Sequence, residues 1–247
     1  MSSIRHSVIR LVRHCRNDGV RSTVMLIGKN LPSPLREWQI RRLSLRHERF
    51  DIKYQLDTQI PVPVADLETA APGARFANRY QGTPIAVLQR IIRRLKIDRP
   101  RFTFIDLGSG KGRVLLIAAQ YHFKSVIGVE FSKTLHSVAV SNVQKFVNSG
   151  ATRTSVTSIN CDAGEFDFSG IGDKIVFCYN PFAADLMIRV LDNLDVPADK
   201  PGETIFAYLG GMPSAVREKL NRFPIMDKGE FLTEFDTYEQ YSIYRMR

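Results

Sequence analysis

Residues 102–113, FTFIDLGSGKGR, constrain this chain more than any other stretch: an apolar run ends in Asp106 and breaks into three alternating glycines, Gly108, Gly110 and Gly112. The pattern predicts a strand turning sharply into a ligand-binding loop. Glycine takes positive φ at no steric cost and lets a ligand approach the main chain with no Cβ in the way. A helix from about Arg113 to Tyr121 follows and aims its N-terminal N–H groups at the loop. The same spacing also excludes. A dinucleotide fingerprint needs a glycine where Arg113 stands, which disfavours NAD and FAD. A phosphate-cradling P-loop needs one where Ile105 stands, and here Gly112 follows Lys111, which disfavours ATP and GTP more strongly.

At 247 residues and 44% hydrophobic content the chain can bury one α/β core plus an appendage, and no apolar run approaches the roughly 20 residues of a membrane span. A soluble globular protein with no transmembrane segment is expected. Cys15, Cys161 and Cys178 form neither a CxxC pair nor a zinc cluster, which points to a reducing, cytoplasmic setting with no disulfide and no metal. Charge is unevenly placed: residues 1–50 hold 11 Lys or Arg against 3 Asp or Glu, so +8 of the chain's +10 lies there.

Within that segment Ile4, Val8, Leu11, Val12 and Cys15 recur at helical spacing, with Arg5, Arg10, Arg13 and Arg16 mostly between them. This predicts a basic amphipathic helix. It can pack on the rest of the chain, serve as an electrostatic footprint for nucleic acid, an acidic protein or anionic lipid, or, over residues 1–20, act as a mitochondrial transit peptide. A second basic helix is expected from Ser33 to about Arg49, with Leu35, Trp38, Leu43 and Leu45 on one face, Ile40 off it, and Trp38 in the core. Residues 51–82 gather Pro61, Pro63, Pro72 and Gly73 and read as a connecting loop. The chain thus divides into a basic helical N-terminal extension, 1–79, and a second domain, 80–247.

From Pro84 to Lys96 the apolar spacing gives a helix, after which strands and helices alternate. Strands are expected at 102–107, 125–130, 155–160, 174–179 and 204–209, with helices at 132–147 and 183–194. Alternation of this kind means an α/β fold with a doubly wound, mostly parallel sheet. Two further runs, 224–233 and 238–245, joined by a turn containing Asp236, suit a terminal antiparallel hairpin.

The D-x-G-x-G-x-G loop resembles that of the class I, seven-β-strand S-adenosylmethionine (SAM)-dependent methyltransferases. The resemblance implies a seven-stranded Rossmann-like sheet, SAM as cofactor and S-adenosylhomocysteine as product. It implies a cofactor set of Asp106, Gly108, Ser109, Gly110, Glu130 and Asp162. Glu130 ends the second strand, where a carboxylate can accept both ribose hydroxyls or cap the next helix. Asp162 would accept from the adenine amine or serve as a plain turn aspartate. Asp106 would orient the loop or approach the cofactor's amino group, and Arg113 would anchor the loop to a neighbouring carboxylate.

After the fourth strand comes Tyr179-Asn180-Pro181-Phe182, where similar enzymes present the acceptor. Methyl transfer needs alignment and an environment tolerant of moving positive charge. Tyr179 and Phe182 could line an amine channel by cation–π contact while Asn180 accepts from the incoming nitrogen, making these three the catalytic candidates. A tight turn with Phe182 in the core is the other reading. Amino-methylating DNA and RNA enzymes of this fold carry a second proline that is missing here. Tyr80-Gln81-Gly82-Thr83-Pro84 ahead of the sheet resembles the non-SET, seven-strand protein-lysine methyltransferases, which nominates Tyr80 and Thr83 as lid contacts. This resemblance covers about residues 76–182. Uncharacterised bacterial methyltransferase-domain proteins are also similar, down to the FDIKYQLDT stretch. A methyltransferase acting on an amine, with a protein lysine as leading acceptor, is therefore expected. Nucleic acid through residues 1–50, a small molecule, or a catalytically silent SAM-fold binding protein are the alternatives.

Overall fold

The computed structural model describes residues 33–60, 82–180, 182–195, 202–233 and 238–246. The expected helix at 4–16, Cys15, the Pro72-Gly73 stretch and the Asp236 turn lie outside the described residues.

Seven strands form one sheet: β1 (Thr103–Leu107), β2 (Ser125–Glu130), β3 (Ser155–Asn160), β4 (Lys174–Tyr179), β5 (Thr204–Leu209), β6 (Ile225–Leu232) and β7 (Tyr238–Arg245). Their order is β3-β2-β1-β4-β5-β7-β6. The first five run parallel, and β7 pairs antiparallel with both β5 and β6. Strand order reverses between β1 and β2 on one side and β4 on the other. In open α/β sheets the crevice at that point, beyond the strands' carboxyl ends, is where ligands bind.

Period-two alternation sends side chains from each central strand into two cores. Phe104, Ile175, Phe177, Ile205 and Ala207 join one; Ile105, Leu107, Val176, Cys178, Phe206 and Tyr208 join the other. The first core is closed by α2 (Ile85–Arg94) and α3 (Arg113–Ala119), which bury apolar residues against the sheet. The second is closed by α5 (Ala184–Asp195) and by the short α6 (Ser214–Leu220), whose seven residues carry too little periodicity to be anticipated. Between these, α4 (Lys133–Asn148) starts at Ser132, whose side chain accepts from the Leu135 N–H.

The basic helix α1 (Ser33–Tyr54) runs past the expected end at Arg49. Its inward face also differs from the expected one. Ile40, Leu43, His47, Phe50, Asp51 and Tyr54 turn inward, whereas Trp38 is 58% exposed and Leu35 and Leu45 are exposed too. The reason is where the helix is held. Phe50 and Tyr54 pack on the fully buried Phe146 of α4, with ring centroids 6.0 Å and 4.7 Å away. That contact fixes the helix's rotation, and stepping back from it by helical periodicity lands on Leu43 and Ile40 rather than Trp38.

Because Phe146 closes this aromatic cluster, Phe146→Ala should destabilise the protein by about 3–5 kcal/mol. Urea unfolding followed by circular dichroism checks this; a loss under about 1 kcal/mol would mean α1 is not fixed by the cluster.

Candidate cofactor and acceptor site

The loop after β1 is built from left-handed backbone. Gly108, Gly110 and Gly112 have φ of +74°, +52° and +84°, values that side chains rarely tolerate. A Cβ on Gly112 would also stand 3.3 Å from the Ala139 Cβ on α4. The Gly108 and Ser109 N–H groups donate to the Val129 carbonyl at 2.9 and 3.0 Å, tying the loop to the end of β2.

That tie brings Glu130 into the loop. Its Oε2 accepts from the Gly110 N–H at 2.8 Å and its Oε1 from the Ser132 N–H at 2.9 Å. Loop support and helix capping are thus one arrangement. Burial pushes the Glu130 carboxyl up to about 7, against the pull of the Ser132, Gly110 and Phe131 N–H donors. Asp106 is raised well above the usual carboxylate range, by burial first and by the Glu130 charge second. Its Oδ2 and the Ser109 Oγ are buried with no hydrogen-bond partner. Buried acceptors without donors are costly, and a ligand carrying an ammonium group and hydroxyls would satisfy them. Asp106, Ser109 and Glu130 therefore suit the polar end of SAM.

The two cations of the loop face the other way. Lys111 is buried, and its Nζ bonds both oxygens of Asp57 at 2.9 and 2.8 Å. Asn142 of α4 locks this pairing: its Oδ1 accepts from the Asp57 N–H, and its Nδ2 donates to the Asp57 and Lys111 carbonyls. Arg113, also buried, donates from Nε to Thr58 Oγ1 at 2.9 Å and from Nη2 to the Thr58 carbonyl at 2.7 Å. Its Nη1 lies 2.7 Å from His47 Nδ1 and 3.5 Å from the Thr83 carbonyl. The expected carboxylate partner of Arg113 is thus replaced by carbonyls, a hydroxyl and an imidazole; Asp51 stands one step behind, accepting from the Thr58 hydroxyl at 2.6 Å. Burial and then the Arg113 charge pull His47 down to about 3, so the ring is neutral. Thr83, expected as a lid contact, is buried behind the loop with its carbonyl towards Arg113. Tyr80 lies outside the described residues.

Asp162, after β3, accepts from the Gly164 N–H at 2.8 Å, the turn geometry of an aspartate at a bend. It also lines a narrow crevice with Phe131, Cys161, Ala163, Phe182 and Leu186. Phe182 is buried in the second core at this crevice rather than standing free beside Tyr179. Asn180 is exposed at the end of β4 with φ +38°, a conformation asparagine tolerates better than most residues. Its Oδ1 accepts from the Tyr208 hydroxyl at 3.1 Å, and its N–H donates to the Leu209 carbonyl. Tyr179 is half-buried with its hydroxyl 3.5 Å from Glu239.

The structure thus brings Asp106 of β1 and Glu130 of β2 to the loop that carries Gly108, Ser109 and Gly110, and Asp162 with Phe182 into one crevice. Sequence reasoning missed His47, Asp57, Thr58, Asn142 and Tyr208. The available signal was the pair of cations inside a glycine loop, Lys111 and Arg113, facing the acids of FDIKYQLDT.

The family described as "Histone methylation protein DOT1" matches residues 67–162. No curated protein matches the chain. Among solved structures, a putative RNA methyltransferase from Pyrococcus horikoshii is 19% identical over 80% of this chain and 96% of that one, with a TM-score of 0.52. A magnesium protoporphyrin IX methyltransferase from Synechocystis PCC 6803 with bound SAM is 18% identical over 66% of this chain and 79% of that one, with a TM-score of 0.50. These two likenesses show the fold. No helix of the described residues is long and apolar enough to cross a membrane.

Removing the Glu130 carboxylate should weaken SAM binding by about 2–3 kcal/mol, through loss of a charge-assisted acceptor and of the loop's own support. Isothermal titration of Glu130→Ala tests this, and unchanged affinity would refute the site. A pH effect follows from His47. Its folded value of about 3 lies below the ordinary 6.5, so the unfolded chain binds the extra proton and stability falls as pH drops through that window. Glu130, raised to about 7, contributes the opposite slope between its ordinary value and 7. Urea midpoints of wild type and His47→Gln, compared across that range, isolate the His47 part: the variant should lose less stability on acidification, and parallel profiles would contradict a neutral His47.

Proposed function

Taking the chain as a class I, SAM-dependent methyltransferase, we propose that it transfers the methyl group to an amine and that this amine is a protein lysine. The observation that carries the acceptor reading is the match to a histone-methylation family over residues 67–162, a segment that holds the lead-in to α2, the glycine loop, Glu130 and Asp162.

SAM supplies a methyl group activated by the sulfonium. The chain's own residues then have separate tasks. Asp106 and Ser109 hold the cofactor's amino-acid end, Glu130 the ribose, and Asp162 with Phe131 and Phe182 the adenine. We assign Phe182 to this adenine crevice, on the strength of its burial beside Asp162. Asn180 and Tyr179 receive the acceptor. Displacement at the methyl group demands an in-line nucleophile, so the value of Asn180 is directional. Its Oδ1 accepts from the Tyr208 hydroxyl, which fixes the direction in which the amide meets the incoming N–H. Burial raises the Tyr208 hydroxyl well above its ordinary value, so it remains a donor at every working pH and keeps the amide oriented.

A nucleic-acid acceptor is the second reading, favoured by the +8 balance of residues 1–50. Labelled SAM offered to a cell lysate separates the two. Label that survives nuclease, is lost to protease and is recovered as methyl-lysine supports the lysine reading; label lost to nuclease contradicts it.

Asn180→Ala should lower turnover by about 10- to 100-fold while SAM affinity stays unchanged, because only the acceptor loses a partner. Single-turnover assays and titration together check this. A parallel fall in both would move residue 180 into the cofactor pocket.

A further inference from the structure

The outer face of α1 does nothing for the cofactor site. Trp38, Arg41, Arg42, Leu45, Arg46 and Arg49 line an open groove of about 560 Å³ along it. All six are exposed, Trp38 to 58%. None of the ion pairs among the described residues engages these four arginines. The Arg42 guanidinium sits 5.4 Å from the Trp38 ring centroid. From Trp38 to Arg49 the helix advances about 16 Å, enough to run beside several successive phosphates of one strand.

From this we infer that the outer face of α1 binds a nucleic-acid strand, with phosphates on Arg41, Arg42, Arg46 and Arg49 and a base stacked on Trp38. Charge chooses the class of partner: guanidinium forks match phosphate oxygens bidentately, and an aromatic ring among them offers any base a π-face. A bilayer fits less well. The exposed apolar residues Leu35 and Ile52 stand at opposite ends of the helix with the arginines between them, so inserting the apolar stripe would drag Arg42 and Arg49 into the hydrocarbon. A second copy of the same face is repelled by its own charge. The helix is held by His47, Phe50 and Tyr54 on its inner side, so a strand on the outer side would be carried at a fixed position relative to the glycine loop. Docking in this sense is independent of which acceptor is methylated.

The chain contains a single tryptophan, so Trp38 reports on its own occupancy. Full-length protein titrated with a labelled single-stranded oligonucleotide should raise the label's anisotropy and quench tryptophan fluorescence in step. The triple variant Arg42→Glu, Arg46→Glu, Arg49→Glu should bind at least about tenfold more weakly, and its log affinity against log salt should flatten by about 2, or about 0.7 per lost phosphate contact on a single strand. Trp38→Ala should weaken binding about fivefold or more. Unchanged SAM affinity and circular dichroism in both variants establish that the fold is intact; if the triple variant unfolds, Trp38→Ala and the wild-type quench decide alone. Oligonucleotide binding that survives these substitutions, or that leaves tryptophan fluorescence untouched, overturns the inference. So does equal or tighter binding to phosphatidylglycerol vesicles or to polyglutamate under the same salt.

Discussion

Arg113 is a cation buried at 4% exposure with no carboxylate against it among the described residues, and the geometry of the cofactor loop depends on how that charge is held. Burying an unpaired guanidinium costs several kcal/mol unless its donors are met. Here they are met by the Thr58 hydroxyl and carbonyl, the Thr83 carbonyl and a neutral His47. Space is as tightly specified as charge: a Cβ on Gly82 would stand 2.6 Å from Arg113 Nη1. Lys111 repeats the arrangement two residues earlier through Asp57. The three glycines let the loop turn, and the two cations pin its rear to residues 47–58. Those residues, upstream of the expected boundary at 80, are thereby part of what shapes the cofactor site.

The front of the loop has the reverse character. Asp106 and Glu130 are buried acids whose carboxyls both rise, and Asp106 keeps an oxygen with no partner. Two acids crowded into a dry pocket favour a cationic ligand, since one positive charge relieves both desolvation and mutual repulsion. The sulfonium and ammonium of SAM are such charges, whereas a pyrophosphate would add repulsion. The two buried acids and the glycine loop thus both suit the cofactor that the resemblance implies.

Much of this was legible in the sequence because it depends on local pattern. Strands β2, β3, β4, β5 and β7 fall where alternation and burial placed them. The glycines fell at positive φ because no other residue suits that backbone. What escaped depends on long-range partners. Trp38 was expected in the core because a lone tryptophan usually buries, yet the rotation of α1 is set by Phe146, about a hundred residues away in sequence. Arg113 was expected on a carboxylate, but its partners come from three separated segments whose meeting no spacing rule announces. Tyr208 was missed because its pairing with Asn180 requires β4 and β5 to be neighbours in register.

The most direct test of the account is calorimetric titration of the intact protein with SAM, S-adenosylhomocysteine and NAD. Micromolar binding of the first two and none of NAD is the predicted result. Binding of NAD, or of neither SAM nor S-adenosylhomocysteine, would contradict the reading of the glycine loop and its two buried acids as a SAM site.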